Sequence, residues 1–234
     1  MKNIIECSNC KSENPIYSST CNNCKHYLRD RVYNIDLWNT FWMLMESPVS
    51  AFKKIIFSEH KNFVSLLLFF ISLKVAINAV IVRNALFNNI ILDSIPINIA
   101  AGMVLFIVLF ILLVYGITGL NNLLGYANRF KDNLALYTYA NSIFVFGLIL
   151  LTTLKYALFG IYAFTFEPSP FELKTMAAWV ITALEGLFFI LAVIKSIQAT
   201  FAQTTNTIYS TITGIVFVLL LVGIVTFLPV LIIG

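Results

Sequence analysis

Four cysteines carry the most specific chemistry in the chain. Cys7 and Cys10 form one Cys-x-x-Cys knuckle, Cys21 and Cys24 a second, and ten residues separate the pairs. Two such knuckles brought together supply four soft thiolates, the donor set of a tetrahedral zinc ion. The competing arrangement, two disulfides, is disfavoured by the reducing compartment that the charge pattern assigns to this end of the chain. Four thiolates leave no open position for a reactive water, so the zinc is expected to be structural. A head of about 30 residues buries too little apolar area to fold alone, so the metal should supply its folding energy. His26 is read as a surface residue beside a complete cysteine set. The intervening KSENPIYSST holds Asn14-Pro15 and a Ser/Thr run, which predicts a tight hairpin. Lys25, Arg29 and Arg31 are diluted by Glu6, Glu13, Asp30 and Asp36, so no nucleic-acid partner is expected.

A second group lies inside long apolar runs, where ionisable side chains are costly and mark function by default. Lys74, Lys155 and Glu185 are its members. At about 1.5 Å per helical residue, Lys74 falls about 17 Å from the start of its run and Glu185 about 14 Å from the start of its own. In a hydrocarbon core about 30 Å thick, oppositely directed helices bring these two near the same midplane. A Lys74–Glu185 ion pair follows, with Asn78 one turn beyond Lys74 and Thr182 one turn from Glu185. The pair reads either as a buried contact that fixes helix register or as a proton- or substrate-coupled site. Lys155, about five residues from its helix end, is read as snorkelling outward with no chemistry of its own.

These residues need elements to position them, and composition says which. The 234 residues are 59% hydrophobic and 11% charged, with 21 Phe and a mean hydropathy of +0.88. Soluble chains average about 45–50% apolar and about 25% charged, so a soluble enzyme and a disordered linker are both excluded. Five segments meet the length of a spanning helix: about 62–82, 97–119, 139–160, 176–197 and 208–233. The fold class is therefore an all-α membrane protein, a five-span bundle carrying a small zinc-ribbon head. The expected division is a head over 1–30, a linker and interfacial helix over 31–61, and the membrane domain over 62–234. No apolar signal segment precedes the first span. Within 34–57, Ser47-Pro48 marks a helix start. From there Val49, Phe52, Ile55 and Ile56 share a face beside Lys53 and Lys54. That helix, with Trp38 and Trp42, either lies in the headgroup layer or packs on the spans as a collar.

With the head inside, the inner segments hold eleven Lys and Arg and the outer loops, at Arg83 and Lys174, hold two. Positive charge favours the cytoplasmic side, so the N-terminus is expected in the cytoplasm and the C-terminus outside.

The phrase ESPVSAFKKIIF, with Pro48, Ala51 and Phe52, precedes five spans, and a polar Gly-containing loop (Gly116, Gly119, Gly125, Phe130) joins the second and third. This pattern over roughly 40–233 resembles the Yip (Ypt/Rab-interacting protein) domain family of multi-pass membrane proteins. It departs from that family in having no Pro between Pro96 and Pro168. The head is similar to zinc ribbons, with Asn14-Pro15 matching and Lys11 and Lys25 replacing the usual knuckle glycines. The resemblance implies membrane organisation or trafficking through protein contacts, in eukaryotes with small GTPases. The pairing of ribbon and membrane domain implies a bacterial cytoplasmic membrane. No Ser-His-Asp set, phosphate loop, zinc-protease motif or paired membrane carboxylates occur, so no enzyme is expected. The leading expectation is a membrane adaptor whose head contacts a cytoplasmic protein and whose spans contact the bilayer and other membrane proteins, as a homo- or hetero-oligomer. The alternative is a small permease using Lys74, Asn78 and Glu185.

Overall fold

The computed structural model of the chain describes residues 2–87 and 94–233, with side chains to 229. Asp93, which falls between the first two expected spans, lies outside the described residues. Among the described residues five helical stretches are long and apolar enough to cross a membrane: Val64–Phe87, Ile95–Leu123, Phe130–Phe159, Thr175–Thr204 and Thr207–Pro229. The chain is an all-α integral membrane protein with a small N-terminal head of four cysteines and a two-stranded sheet.

The head pairs β1 (Ile4–Glu6) antiparallel with β2 (Glu13–Pro15), Ile5 opposite Asn14. Asn14-Pro15 thus lies in a strand, and the turn expected there is made earlier, by Cys7–Ser12. Pro15 has no N–H to lose at the end of an edge strand, a position that tolerates it.

Two short helices follow. Asp36 caps α1 (Leu37–Glu46), its carboxylate accepting from the Asn39 N–H at 3.0 Å. The helix stops before Pro48 because the residue preceding a proline is pushed out of the α region, and Ser47 has φ −140° and ψ 68°. Pro48 then opens α2 (Pro48–Phe57), although the Ser47 side chain makes no capping bond. α2 buries Ala51, Phe52, Ile55 and Ile56, packing against α5 (Phe130–Ala140). That contact is the collar arrangement. α1 leaves Trp38, Trp42 and Met45 exposed at helical spacing.

α3 (Val64–Phe87) and α4 (Ile95–Leu123) form the first two spans. The third is composite: α5, then α6 (Ile143–Gly147), a π-helical turn over Leu148–Thr152, and α7 (Thr153–Phe159). It starts at Phe130, nine residues before the expected Tyr139, and so takes in Asp132. Short α8 (Tyr162–Thr165) and α9 (Pro170–Leu173) lead to α10 (Thr175–Thr204) and α11 (Thr207–Ile233).

The residues gather into two compact units, one of 1–65, 111–140 and 194–216, the other of 66–110, 141–193 and 217–234. The first contains the head. There the Tyr137 hydroxyl meets Thr200 Oγ1 at 2.7 Å, and a Cβ on Gly214 would lie 2.6 Å from the backbone N of Ile197, so glycine is what lets α11 approach α10. Ser210, four residues earlier, is buried and bonded to Thr204. The second unit has a core of aromatics, with Phe110 stacked on Phe106 and edge-on to Phe217 at 5.4 Å.

Candidate metal centre and intramembrane site

The two knuckles repeat one backbone plan. The Cys7 N–H bonds Ser12 O and the Lys11 N–H bonds Cys7 O; the Cys21 N–H bonds His26 O and the Lys25 N–H bonds Cys21 O. Lys11 and Lys25 take φ of 59° and 60°. The left-handed turn that a knuckle glycine would supply is therefore made by lysine, at a cost of about 1–2 kcal/mol each. Buried Asn14 ties the knuckles together, its amide donating to Ser12 O and its oxygen accepting from the Asn22 N–H at 2.8 Å.

All four sulfurs lie within 4.8 Å of one another, with Cys7–Cys24 at 3.6 Å and Cys10–Cys21 at 3.5 Å. No disulfide joins them. Zinc–sulfur bonds of about 2.3 Å at a tetrahedral centre place sulfurs about 3.8 Å apart, so this donor set fits such an ion. The Ser12 hydroxyl and the Cys24 and Asn23 backbone N–H groups hold the Cys21 thiol down to about 5, the direction that readies a thiolate for metal. His26 is exposed and outside the cluster.

The head is fastened within its unit. Asn3 donates to Ala127 O and Gln203 O and accepts from the Ala127 N–H, while the Lys2 N–H bonds Gly125 O. Arg129 lies over the Tyr17 ring at 4.5 Å and Arg29 over Phe57 at 3.9 Å. Beneath them is a cluster that sequence reasoning missed. Asp132, 1% exposed, takes Arg129 at 2.7 Å and Lys61 at 2.9 Å. The Lys61 ammonium also donates to the carbonyls of Ile55, Ile56 and Ser58, closing the C-terminus of α2. Burial pulls the Lys61 ammonium below its ordinary range, against the Asp132 charge that raises it. Asp132 in the first turn of α5 also faces the positive end of that helix.

In the other unit α3 and α10 bring Lys74, Asn78 and Glu185 together. Lys74 Nζ donates to Glu185 Oε1 at 2.6 Å, and Asn78 Nδ2 to Oε2 at 3.0 Å. Thr152 of the π turn accepts from Lys74 at 2.9 Å. A Cβ on Gly147 would lie 3.2 Å from Lys74 Cε, so the missing side chain leaves room for the lysine stem. Lys155 departs from its expected outward course: its ammonium meets Glu185 Oε1 at 3.2 Å. One carboxylate thus serves two cations. The signal in the sequence was the count itself, since two intraspan lysines share a single intraspan glutamate. Thr182 lines the same space without a bond to Glu185.

A scan against family models, a search of curated proteins and a search of solved structures each find no match to this chain.

Proposed function

We propose that the protein is a non-enzymatic membrane adaptor with a zinc-bound head on the cytoplasmic side. The observation that carries this reading is the fastening of the head: Asn3 joins the head to the α4–α5 connection at Ala127 and to α10 at Gln203. A head held this way works as a fixed platform at a helix end. A change in either connection would be felt at the knuckles. Its exposed tips, Ser8-Asn9 and Asn22-Asn23, are flanked by both signs of charge in Glu6, Lys11, Glu13 and Lys25. Mixed polar surface suits a protein partner better than nucleic acid. The Yip resemblance, the bacterial cytoplasmic membrane and an inside N-terminus belong to the same proposal.

The test is a pull-down from gently solubilised membranes, comparing the intact chain with a Cys7→Ser/Cys10→Ser variant whose zinc is measured by elemental analysis. A stoichiometric partner that is captured only by the metallated head supports the adaptor. An unchanged set of captured proteins after metal loss refutes it.

A second reading, a small permease working through Lys74, Asn78 and Glu185, is favoured by one observation: a cavity of about 350 Å³ reaches Asn78 and Glu185. Flux in liposomes that Glu185→Gln abolishes would support it.

A further inference from the structure

The cavity beside Glu185 has a composition that selects a ligand. Its volume, about 350 Å³, is at the small end of the range for small-molecule sites. Most of its wall is apolar, with Ile81, Phe159 and Ala178 among the lining. At its polar end are Asn78, Lys155, Thr182 and Glu185. Val82, Ala85 and Leu86, also part of the lining, are exposed. On a spanning helix an exposed apolar face meets hydrocarbon, so the cavity is open to lipid chains along α3.

The polar end is unbalanced in two respects. Lys74 and Lys155 bring two positive charges and Glu185 one negative, leaving one in excess. Lys74 is buried and engaged with both Glu185 and Thr152. Lys155 lines the cavity and has Glu185 as its one hydrogen-bond partner among the described residues; an ammonium has three donors. The second imbalance is Asn78 Oδ1, which is buried with no partner. Rotating the amide would turn that oxygen onto the Glu185 carboxylate, so the orphaned acceptor is fixed by the bond from Nδ2. An unpartnered buried acceptor is destabilising, so the polar end of the cavity is not satisfied by its own residues.

We infer that this cavity binds a single-chain lipid anion, with its head group on Lys155 and its chain along the apolar wall. A neutral amphiphile leaves the excess charge uncompensated, a cationic one adds to it, and a small anion leaves the apolar wall empty. The inference rests on the site of the second reading above but requires no transport.

The test uses the full chain in zwitterionic nanodiscs and equilibrium dialysis with labelled dodecanoate, empty discs giving the partition background. Saturable binding near one per chain is expected. Dodecanol, with the same tail and no charge, should compete at least about tenfold more weakly, the loss of one charge-assisted contact; acetate, with the same head and no tail, should also compete at least about tenfold more weakly, the loss of the chain's apolar contacts. Lys155→Met should weaken dodecanoate by at least about tenfold and erase its advantage over dodecanol. Ala85→Phe, at an exposed position on the open side, should weaken dodecanoate while the protein stays monodisperse; with the competitor series it decides the matter if Lys155→Met does not purify. Non-saturable uptake, equal competition by dodecanol, or full affinity in both variants would overturn the inference. Dodecanoate binding without flux of the anion in liposomes would remove this anion as a permease substrate and leave the site standing; flux without binding would do the reverse.

Discussion

Replacing Glu185 by Gln keeps the shape of the side chain and removes the one charge that two lysines share. Lys74 is 1% exposed and Glu185 15% exposed, and their 2.6 Å contact is made inside the spans. Breaking a buried pair by removing one partner costs about 3–5 kcal/mol, because the other charge is left uncompensated. Lys155 is also orphaned, but at 15% exposure it adds less. At about 2–4 °C per kcal/mol for a chain of this size, Glu185→Gln should lower the midpoint of thermal aggregation by about 6–20 °C. Lys74→Met should cost less, since Glu185 keeps Lys155 and Asn78. The double variant Lys74→Met/Glu185→Gln should then cost about 0.5–3 kcal/mol less than the sum of the two single variants. The assay is stepwise heating of detergent-solubilised protein, followed by size-exclusion chromatography of what remains monodisperse. If Glu185→Gln melts with the parent, or the double variant costs the full sum of the two singles, the ion pair does not hold these helices together.

Three further outcomes are expected. Gly214→Ala places a methyl 2.6 Å from the Ile197 backbone and should cost about 1–3 kcal/mol, whereas Gly223→Ala, with nothing within 4 Å, should be neutral or slightly stabilising in the same melting assay. Chelation should release one zinc per chain by elemental analysis and make all four thiols reactive to maleimide, with no more than background labelling beforehand; full labelling of the untreated protein would refute the metal centre. The Arg31 hydrogen bond holds the Glu59 carboxyl below its ordinary value of 4.5. The folded state therefore binds fewer protons, so this contribution to stability is present above pH 4.5 and is lost as pH falls through the lower folded value. Arg31→Gln should flatten that acid-side decline in a melting series over pH.

Hydropathy made the five spans legible, because nothing but a membrane helix accounts for apolar runs of that length. The four cysteines were equally plain from spacing. The Lys74–Glu185 contact was reachable from depth arithmetic alone, since opposed helices bring like depths together. The start of the third span was not. Asp132 and Asn133 read as loop residues on any hydropathy scale, yet both are buried in helix, Asp132 on Lys61 and Arg129 and Asn133 donating to Thr118 Oγ1 and Asn128 Oδ1. Arg129 and Asn128 lie only three and five residues away, but Lys61 and Thr118 are distant in sequence, and no local window contains those two. Lys155 escaped for a related reason: nearness to a helix end was taken as a route to water, while its direction depends on the phase of the helix. Asn14-Pro15 has the composition of a turn, but the knuckle had already turned the chain, leaving that dipeptide to form a strand.

The π turn at Leu148–Thr152 gives the intramembrane cluster a dependence on chain length as well as on side-chain identity. A π turn closes with i→i+5 bonds and so accommodates one residue more than an α turn. Everything downstream in that span is advanced by about 100°, one residue's worth of helical rotation. Deleting a single residue there would heal the helix into regular α geometry and improve its local bonding. It would also swing the lysine at 155 about a quarter turn away from the glutamate it now faces. A relative with every polar residue intact but one codon shorter in this stretch would keep the composition of the site and lose its geometry. An insertion or deletion is thus a more telling change here than any conservative substitution.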